Sequence, residues 1–504
     1  MTELFATIPY ALAMLVALAI PLAGLGQYRL GAIVSPDLRL MILLLLVALG
    51  AIFMIGFTSR NLDESRLIAQ SAREAYEDAA GGFAASRVFS AFIVGAGFIE
   101  VIRGWLLSRA SGTPDPARPI LLALLGLYLG TMLIQGVASE VPSFSYKNFY
   151  PVIALLAVYY QRVSDLTRVI TMVKLVIMVL TVGSLVAMAV KPDFVLQRPA
   201  ASVLPGIDFR LFGLTSHANT IGPIALLGIV LELAYPSRLL ASRWVQLVAG
   251  SIVFVLAQSK TAWVAAALMV PVVLVPLAMA AGPDRSSRKK DFTRSVSVLL
   301  VVIVSVVALV ALFVGFDVIE LVRRKVTGVD TLVGRTLIWQ ITLDAWRDNL
   351  LFGYGGEIWS MERRIKFNLL AAGQAHNQFV QTLGDSGLVG LLLLLTYLGV
   401  LLRVSVRCLV PSRGVMLAIL TLVLARCMTE APMRAVELLS WPLLTHLVLL
   451  TLACYYMRGK QVVSPAPNPG IAARVGVGVD RLSNARTSVK AHLASEPSPG
   501  LTRK

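Results

Sequence analysis

From Ala6 to Tyr456 the chain runs as a series of apolar segments, each roughly 17–25 residues long and set off by short polar connections. A helix of that length rises far enough to cross a ~30 Å hydrocarbon layer with its backbone groups satisfied internally. The segments fall at 6–26, 38–57, 86–107, 119–138, 147–161, 167–190, 218–235, 243–258, 261–281, 295–316, 387–403, 413–428 and 438–456. They predict about thirteen spans. Transmembrane β-strands would be alternating segments of ~10 residues, so the pattern excludes a barrel and predicts an all-α, polytopic integral membrane protein. The first segment has no Lys or Arg before it and is interrupted by proline, so it is expected to persist as a helix and not to be cleaved as a signal peptide. No solenoid-type repeat is present.

Composition agrees: 57% of the 504 residues are hydrophobic and 14% charged, against about 25% charged in soluble domains. The net charge of +17 would suggest nucleic acid in a soluble protein. Here it reads as topology, because basic residues collect in cytoplasmic loops. Arg238 and Arg243, Arg285 to Arg294, and Arg403, Arg407 and Arg413 therefore mark the cytoplasmic side. The tail 457–504, rich in Pro, Ser, Ala and basic residues, is expected to be a disordered cytoplasmic segment following a membrane domain over 1–456. Alternation then places 139–146, 191–217, 258–261, 317–386 and 429–437 together on the extracytoplasmic side. Cys408, Cys427 and Cys454 lie in or beside apolar runs without ligand spacing, so neither a disulfide framework nor a metal site is expected.

The connection 317–386 is ~70 residues long in a protein whose other connections are short, and long loops on a rigid scaffold tend to carry function. Within it, Arg335 to Asp348 places Ile338, Ile341, Ala345 and Trp346 at helical spacing, which predicts an amphipathic helix ended by Gly353 to Gly356. A second helix is expected from about Ala375 into the next span, with His376, Phe379, Val380 and Leu383 on an apolar face and Gln378, Gln381 and Asp385 turned away. The loop holds eight basic and eight acidic residues, so any functional cation lies within a balanced segment.

Several basic groups nevertheless fall on the extracytoplasmic side: Arg210 and His217 in RLFGLTSHANT, Lys260 in QSKT, Arg335 in GRTLIW and His376 in AHNQFVQTLGDSG. Arginine and lysine hold phosphate oxygens, and a histidine near neutrality takes a proton without a metal. The combination suits a phosphate or pyrophosphate substrate at a membrane surface. Each residue also has a purely structural role open to it. His376 and His217 can shape helix starts, Arg335 can pair with Asp330, and Arg210 and Lys260 can meet lipid headgroups. Intramembrane Glu100, Arg103, Lys174, Glu232 and Arg426 leave a transporter or flippase as the alternative of another class.

GRTLIW followed by FGYG, then His376-Asn377 with Gly387 and Gly390 at the mouth of a span, resembles the O-antigen ligase and Wzy-type polysaccharide polymerase family. The upstream R-x-x-G-x-x-x-H-x-N of Arg210, Gly213, His217 and Asn219 resembles it too, as does Ser259-Lys260, over residues 200 to 455 in all. Leu350 stands where that family usually has proline. The resemblance implies a GT-C-like helical body of twelve spans, one fewer than counted, with region 58–107 the part in question, and a metal-independent glycosyltransferase without cofactor. The implied donor is an oligosaccharide on undecaprenyl pyrophosphate, in the bacterial inner membrane with the site facing the periplasm. It implies His376 as the base for an acceptor sugar hydroxyl, and Arg335 and Arg210, with Lys260, on the donor pyrophosphate. Asn377, His217, Asn219 and Gly334 support them. Polymerisation of exopolysaccharide or O-antigen repeats and ligation to lipid A-core both remain open, with a chain-length regulator and a flippase as the partners a polymerase implies. No nucleic acid is expected.

Overall fold

A computed structural model describes residues 35–56, 72–198, 204, 206–280, 333–369, 372–434 and 437–459. Its helices are α1 (Pro36–Phe53), α2 (Ala72–Ser111), α3 (Arg118–Leu133, extended by a π turn to Ala138), α4 (Phe149–Tyr160) and α5 (Leu166–Val190). Then come α6 (Ala218–Ala234), α7 (Leu240–Leu256), α8 (Lys260–Ala280), α9 (Val333–Asp348), α10 (Met361–Lys366), α11 (Gln378–Arg407), α12 (Val415–Cys427) and α13 (Trp441–Arg458). Strand is limited to a two-residue pairing of β1 (Leu196–Gln197) with β2 (Arg210–Leu211) among the described residues. The all-α, multi-pass reading holds: α1, the stretch 89–110, α3 with its π turn, α5 and α11 are each long and apolar enough to cross a membrane. The predicted spans 6–26 and 295–316 lie outside the described residues, as does the tail beyond Gly459.

The connections sort to two ends of the bundle, and the sorting follows the charge pattern. At one end, Glu140 and Val141 donate backbone N–H groups to the carbonyls of Gly353 and Tyr354, joining 139–146 to the large loop. At the same end Arg210 reaches the Gln258 carbonyl, Thr261 bonds Thr429, and Asn219 and His376 both reach Glu430. All five connections expected extracytoplasmically thus touch one another. At the other end the buried Lys174 ammonium meets Glu232 at 2.8 Å, the Tyr235 carbonyl and Ser237, while Arg413 donates to the Ala234 carbonyl. Glu100 pairs with Arg39 at 3.0 Å and with Arg103 at 3.7 Å and accepts from Gln161. Charges buried in a low-dielectric bundle persist only when paired in this way.

The amphipathic helix expected at Arg335 to Asp348 forms as α9, and the helix expected from about Ala375 forms as α11. The two faces of α11 are reversed from expectation, however. Gln378, Gln381 and Asp385 are buried, at 3%, 0% and 5% exposure, and His376 lies outside the helix instead of on its apolar side. Burial is possible because each polar group finds a partner: Gln381 accepts from the Ala375 N–H and donates to Asp385, and Gln378 accepts from the Met433 N–H. In a membrane protein the inward face can be the polar one.

Gly387 breaks α11 with φ 62° and ψ −161°, a conformation open to glycine alone. The opening is filled by the FGYG turn. Leu388 and Val389 donate to the carbonyls of Leu350 and Leu351, and Tyr354 donates to the Gly384 carbonyl at 2.8 Å. The turn forms with Leu350 in place of a proline. A Cβ on Gly353 would sit 2.7 Å from the Gly384 and Leu383 carbonyls, and one on Gly387 would run into the backbone of Leu351 and Phe352. Gly387→Ala should therefore cost about 3 kcal/mol, from left-handed strand-like geometry plus overpacking. Gly399→Ala in the same helix, where a Cβ meets nothing within 4 Å, should leave thermal unfolding in detergent unchanged or slightly raised. Equal melting temperatures for the two variants would contradict this account of the splice.

Candidate functional site

The site is organised by a carboxylate that the sequence did not single out. Glu430 lies just beyond α12 and accepts from His376 Nδ1 at 3.0 Å, Gln374 Nε2 at 2.6 Å and Asn219 Nδ2 at 3.4 Å. It thereby joins the end of the large loop, the start of α6 and the connection 429–437. Burial alone would raise its pKa. The hydrogen bond from His376, with the charge of Arg426, outweighs burial and holds it below the ordinary carboxylate value. An ionised Glu430 offers only acceptors, so His376 Nδ1 must carry the proton donated to it and Nε2 is left as the basic nitrogen.

Local backbone geometry aims His376. The residue adopts φ 51°, a left-handed conformation that non-glycine residues rarely take. Asn377 follows as the N-cap of α11, its Oδ1 accepting from the N–H groups of Phe379 and Val380, while its Nδ2 reaches the Met428 carbonyl. The His-Asn pair thus has divided labour: the asparagine fixes the helix start and the histidine is turned out of it. Trp339 of α9 donates to the Ala375 carbonyl at 2.8 Å and anchors the same turn.

The upstream motif is likewise a unit. Gly213 has φ 56°, and a Cβ there would strike Ile221 and Ser184, so the chain can turn from β2 toward α6 only with glycine. His217 is the N-cap of α6, its Nδ1 accepting from the Asn219 N–H at 3.0 Å. Asn219 then accepts from Arg210 Nη2 at 3.1 Å and donates to Glu430. Burial, then Arg210, with smaller contributions from His376 and Arg335, lowers the His217 pKa to about 4 against the pull of Glu430. At neutral pH His217 is a neutral cap.

These groups line a cavity of about 690 Å³ that also receives Arg335 from α9, Arg426 from α12 and Arg434. Four arginines face two carboxylates there, Glu430 and Glu437, so the cavity favours an anion. Of the residues singled out from sequence, His376, Arg335, Arg210, His217 and Asn219 meet in it. Asn377 and Gly334 stand beside it in the chain, Gly334 in the first turn of α9. Lys260 begins α8 and does not line the cavity.

Arg426 has the most informative position. It is 6% exposed, and its Nε has no hydrogen-bond partner. Such a buried guanidinium is costly unless something else completes its bonding. As a sequence feature it was one of several intramembrane charges, and nothing in its spacing separates it from Lys174, which is fully paired. Glu430 left a fainter signal: an acidic residue in a short connection on the side where the bases gather.

Residues 245–395 match the family described as O-antigen ligase. The match covers α8, α9, the His-Asn turn and the first half of α11, so the resemblance carried by the sequence motifs holds over the large loop that supplies the site. No curated protein matches the chain.

Because His217 takes a proton near pH 6.5 when unfolded and only near 4 when folded, the unfolded chain binds more protons between those values. Its contribution is therefore intact above about pH 6.5 and is lost as pH falls toward 4. His217→Asn keeps a capping acceptor and removes the titration. Melting temperature should fall less steeply across this window in the variant than in the wild-type protein; parallel curves would refute the assignment.

Proposed function

From an O-antigen ligase-type segment at residues 245–395, joined to a cavity where His376, Glu430 and several guanidinium groups converge, we propose a metal-independent glycosyltransferase. It moves an oligosaccharide from undecaprenyl pyrophosphate to a sugar hydroxyl, in the bacterial inner membrane with the cavity open to the periplasm. The observation that carries this reading is the His376–Glu430 couple at 3.0 Å on the wall of a cation-rich cavity. A base and an anion site within one cavity serve a reaction that deprotonates an alcohol and releases a pyrophosphate.

In this mechanism the donor pyrophosphate lies against Arg210, Arg335 and Arg426. The acceptor hydroxyl oxygen attacks the anomeric carbon, the bond from that carbon to the pyrophosphate oxygen breaks, and its electron pair stays on the leaving phosphate. The hydroxyl proton passes to His376 Nε2, and the imidazolium is stabilised by Glu430. Fixed guanidinium groups favour the charge developing on the leaving group and need no rearrangement when it forms. Attack opposite the leaving group inverts the anomeric centre.

Polymerisation of exopolysaccharide or O-antigen repeats is the preferred form, on the strength of the R-x-x-G-x-x-x-H-x-N connection. It brings with it a chain-length regulator and a flippase as functional partners. The description of the matching family favours the second form, ligation to lipid A-core. Transport across the bilayer draws less support. Lys174 and Glu232 close on each other, and Glu100 closes on Arg39 and Arg103, so these charges do not line a path.

His376→Ala should lower transfer by about 10²–10⁴-fold, the usual worth of general base catalysis, with membrane insertion and protein level unchanged. Arg335→Lys should fail nearly as badly as Arg335→Ala if a planar fork and not charge alone is required. Polymer or ligated product is read on gels from cells carrying each variant; wild-type yield from His376→Ala would sink the assignment.

A further inference from the structure

A second, smaller cavity lies on the far side of Arg434. Its volume is about 230 Å³, roughly that of seven or eight liquid waters and comparable with one pyranose ring. α3 and its π turn supply Tyr128 and Gln135, α11 supplies Gln378, Thr382 and Asp385, and the loops 143–148 and 356–357 close it. Arg434 lines both cavities, and its ion pair with Asp385 at 3.4 Å stands between them.

The two chambers differ in chemistry. The large one has an excess of arginine, whereas the small one faces Asp385 and Glu357 against Arg434 alone, so it disfavours a phosphate. Its remaining polar groups are neutral: those on α3 and α11 bond within the protein, and those of the loop 143–148 face the chamber free. Gln135 donates its amide nitrogen to Ser386 at 3.1 Å, while its Oε1 and the side chains of Ser143, Ser145 and Asn148 have no hydrogen-bond partner among the described residues. Glu357 likewise has no ion pair there. Tyr128 shares a hydrogen bond between its hydroxyl and His446 Nδ1 and leaves its ring to the cavity wall. Half-buried amides and hydroxyls and an exposed carboxylate, left open to a ligand beside an aromatic ring, match hydroxyl groups on an apolar ring. Gly356 keeps the chamber open: a Cβ there would press to 3.1 Å of Gln135 Oε1.

The geometry points to a saccharide subsite in this chamber, which holds one neutral sugar ring of a substrate glycan while the pyrophosphate occupies the arginine cavity beside it. It rests on the glycosyl-transfer reading for the identity of the glycan and not for the existence of the subsite. Arg434, held by Asp385 and by the Gly373 carbonyl, would then set the spacing between sugar and leaving group.

The test uses the full-length protein in detergent and two probes that bind without turnover: the oligosaccharide released from the lipid-linked donor, and that of the acceptor glycolipid. Saturation-transfer NMR measures their affinities, and calorimetry measures inorganic pyrophosphate on the same samples. Ser143→Trp fills the chamber, and Asn148→Leu removes a polar group at nearly constant volume. Both should weaken one oligosaccharide at least tenfold and leave pyrophosphate binding unchanged. Where the two glycans differ, as in ligation, the one that weakens identifies donor or acceptor as the occupant; where they are the same repeat, as in polymerisation, the loss of binding itself supports the subsite. Arg335→Ala should do the reverse. Undiminished binding of both oligosaccharides to both variants, or no binding to the wild-type protein, overturns the subsite. Pyrophosphate binding indifferent to Arg335→Ala overturns the glycosyl-transfer reading instead.

Discussion

A single, largely enclosed carboxylate holds the site together. Glu430 is the common acceptor for His376, Gln374 and Asn219, and through Asn219 it reaches Arg210. Remove that charge and the histidine loses its orienting partner, the arginine loses the far end of its support, and Gln374 and Asn219 lose their acceptor. The constraint is mutual: the carboxylate stays ionised because the hydrogen bond from His376 and the charge of Arg426 outweigh its desolvation. Site and charge balance are therefore one arrangement.

The bundle delivers these groups through unusual backbone and not through helix faces alone. The opening of α11 at Gly387 admits the FGYG turn, whose hydrogen bonds to Leu388 and Val389 fix the large loop on the helix mouth. Ten residues earlier, Asn377 caps the start of the same helix while His376 is held left-handed. Helix start and helix break together set where the loop crosses the cavity, and Gly213 does the equivalent for Arg210 and His217. Strained or glycine-only positions concentrate here because the surrounding packing over-determines them.

Much of this was legible beforehand. Apolar runs located the described helices other than α9 and α10, because a membrane span must be long and continuous. Charge bias grouped the five connections that meet at one end, and it brought His376, Arg335, Arg210, His217 and Asn219 to one side before any geometry. What stayed hidden depends on long-range pairing. Glu430 acts across 54 residues to His376 and 211 to Asn219, separations at which spacing carries no signal. Periodicity found the two faces of α11 and assigned them the wrong way round, since amphipathicity does not say whether the polar stripe faces solvent or a buried polar cavity. Arg426 could not be told from Lys174 by position, because the difference between them is only whether a partner arrives.

The central claim is that the arginine cavity takes the pyrophosphate of a lipid-linked donor while His376 faces the acceptor. Its most direct test is a cryo-EM map of the protein in lipid nanodiscs with undecaprenyl pyrophosphate. The account predicts diphosphate density within hydrogen-bond distance of Arg210, Arg335 and Arg426, with His376 Nε2 open on the opposite side. Diphosphate density elsewhere on the protein, with those guanidinium groups unengaged, would contradict it.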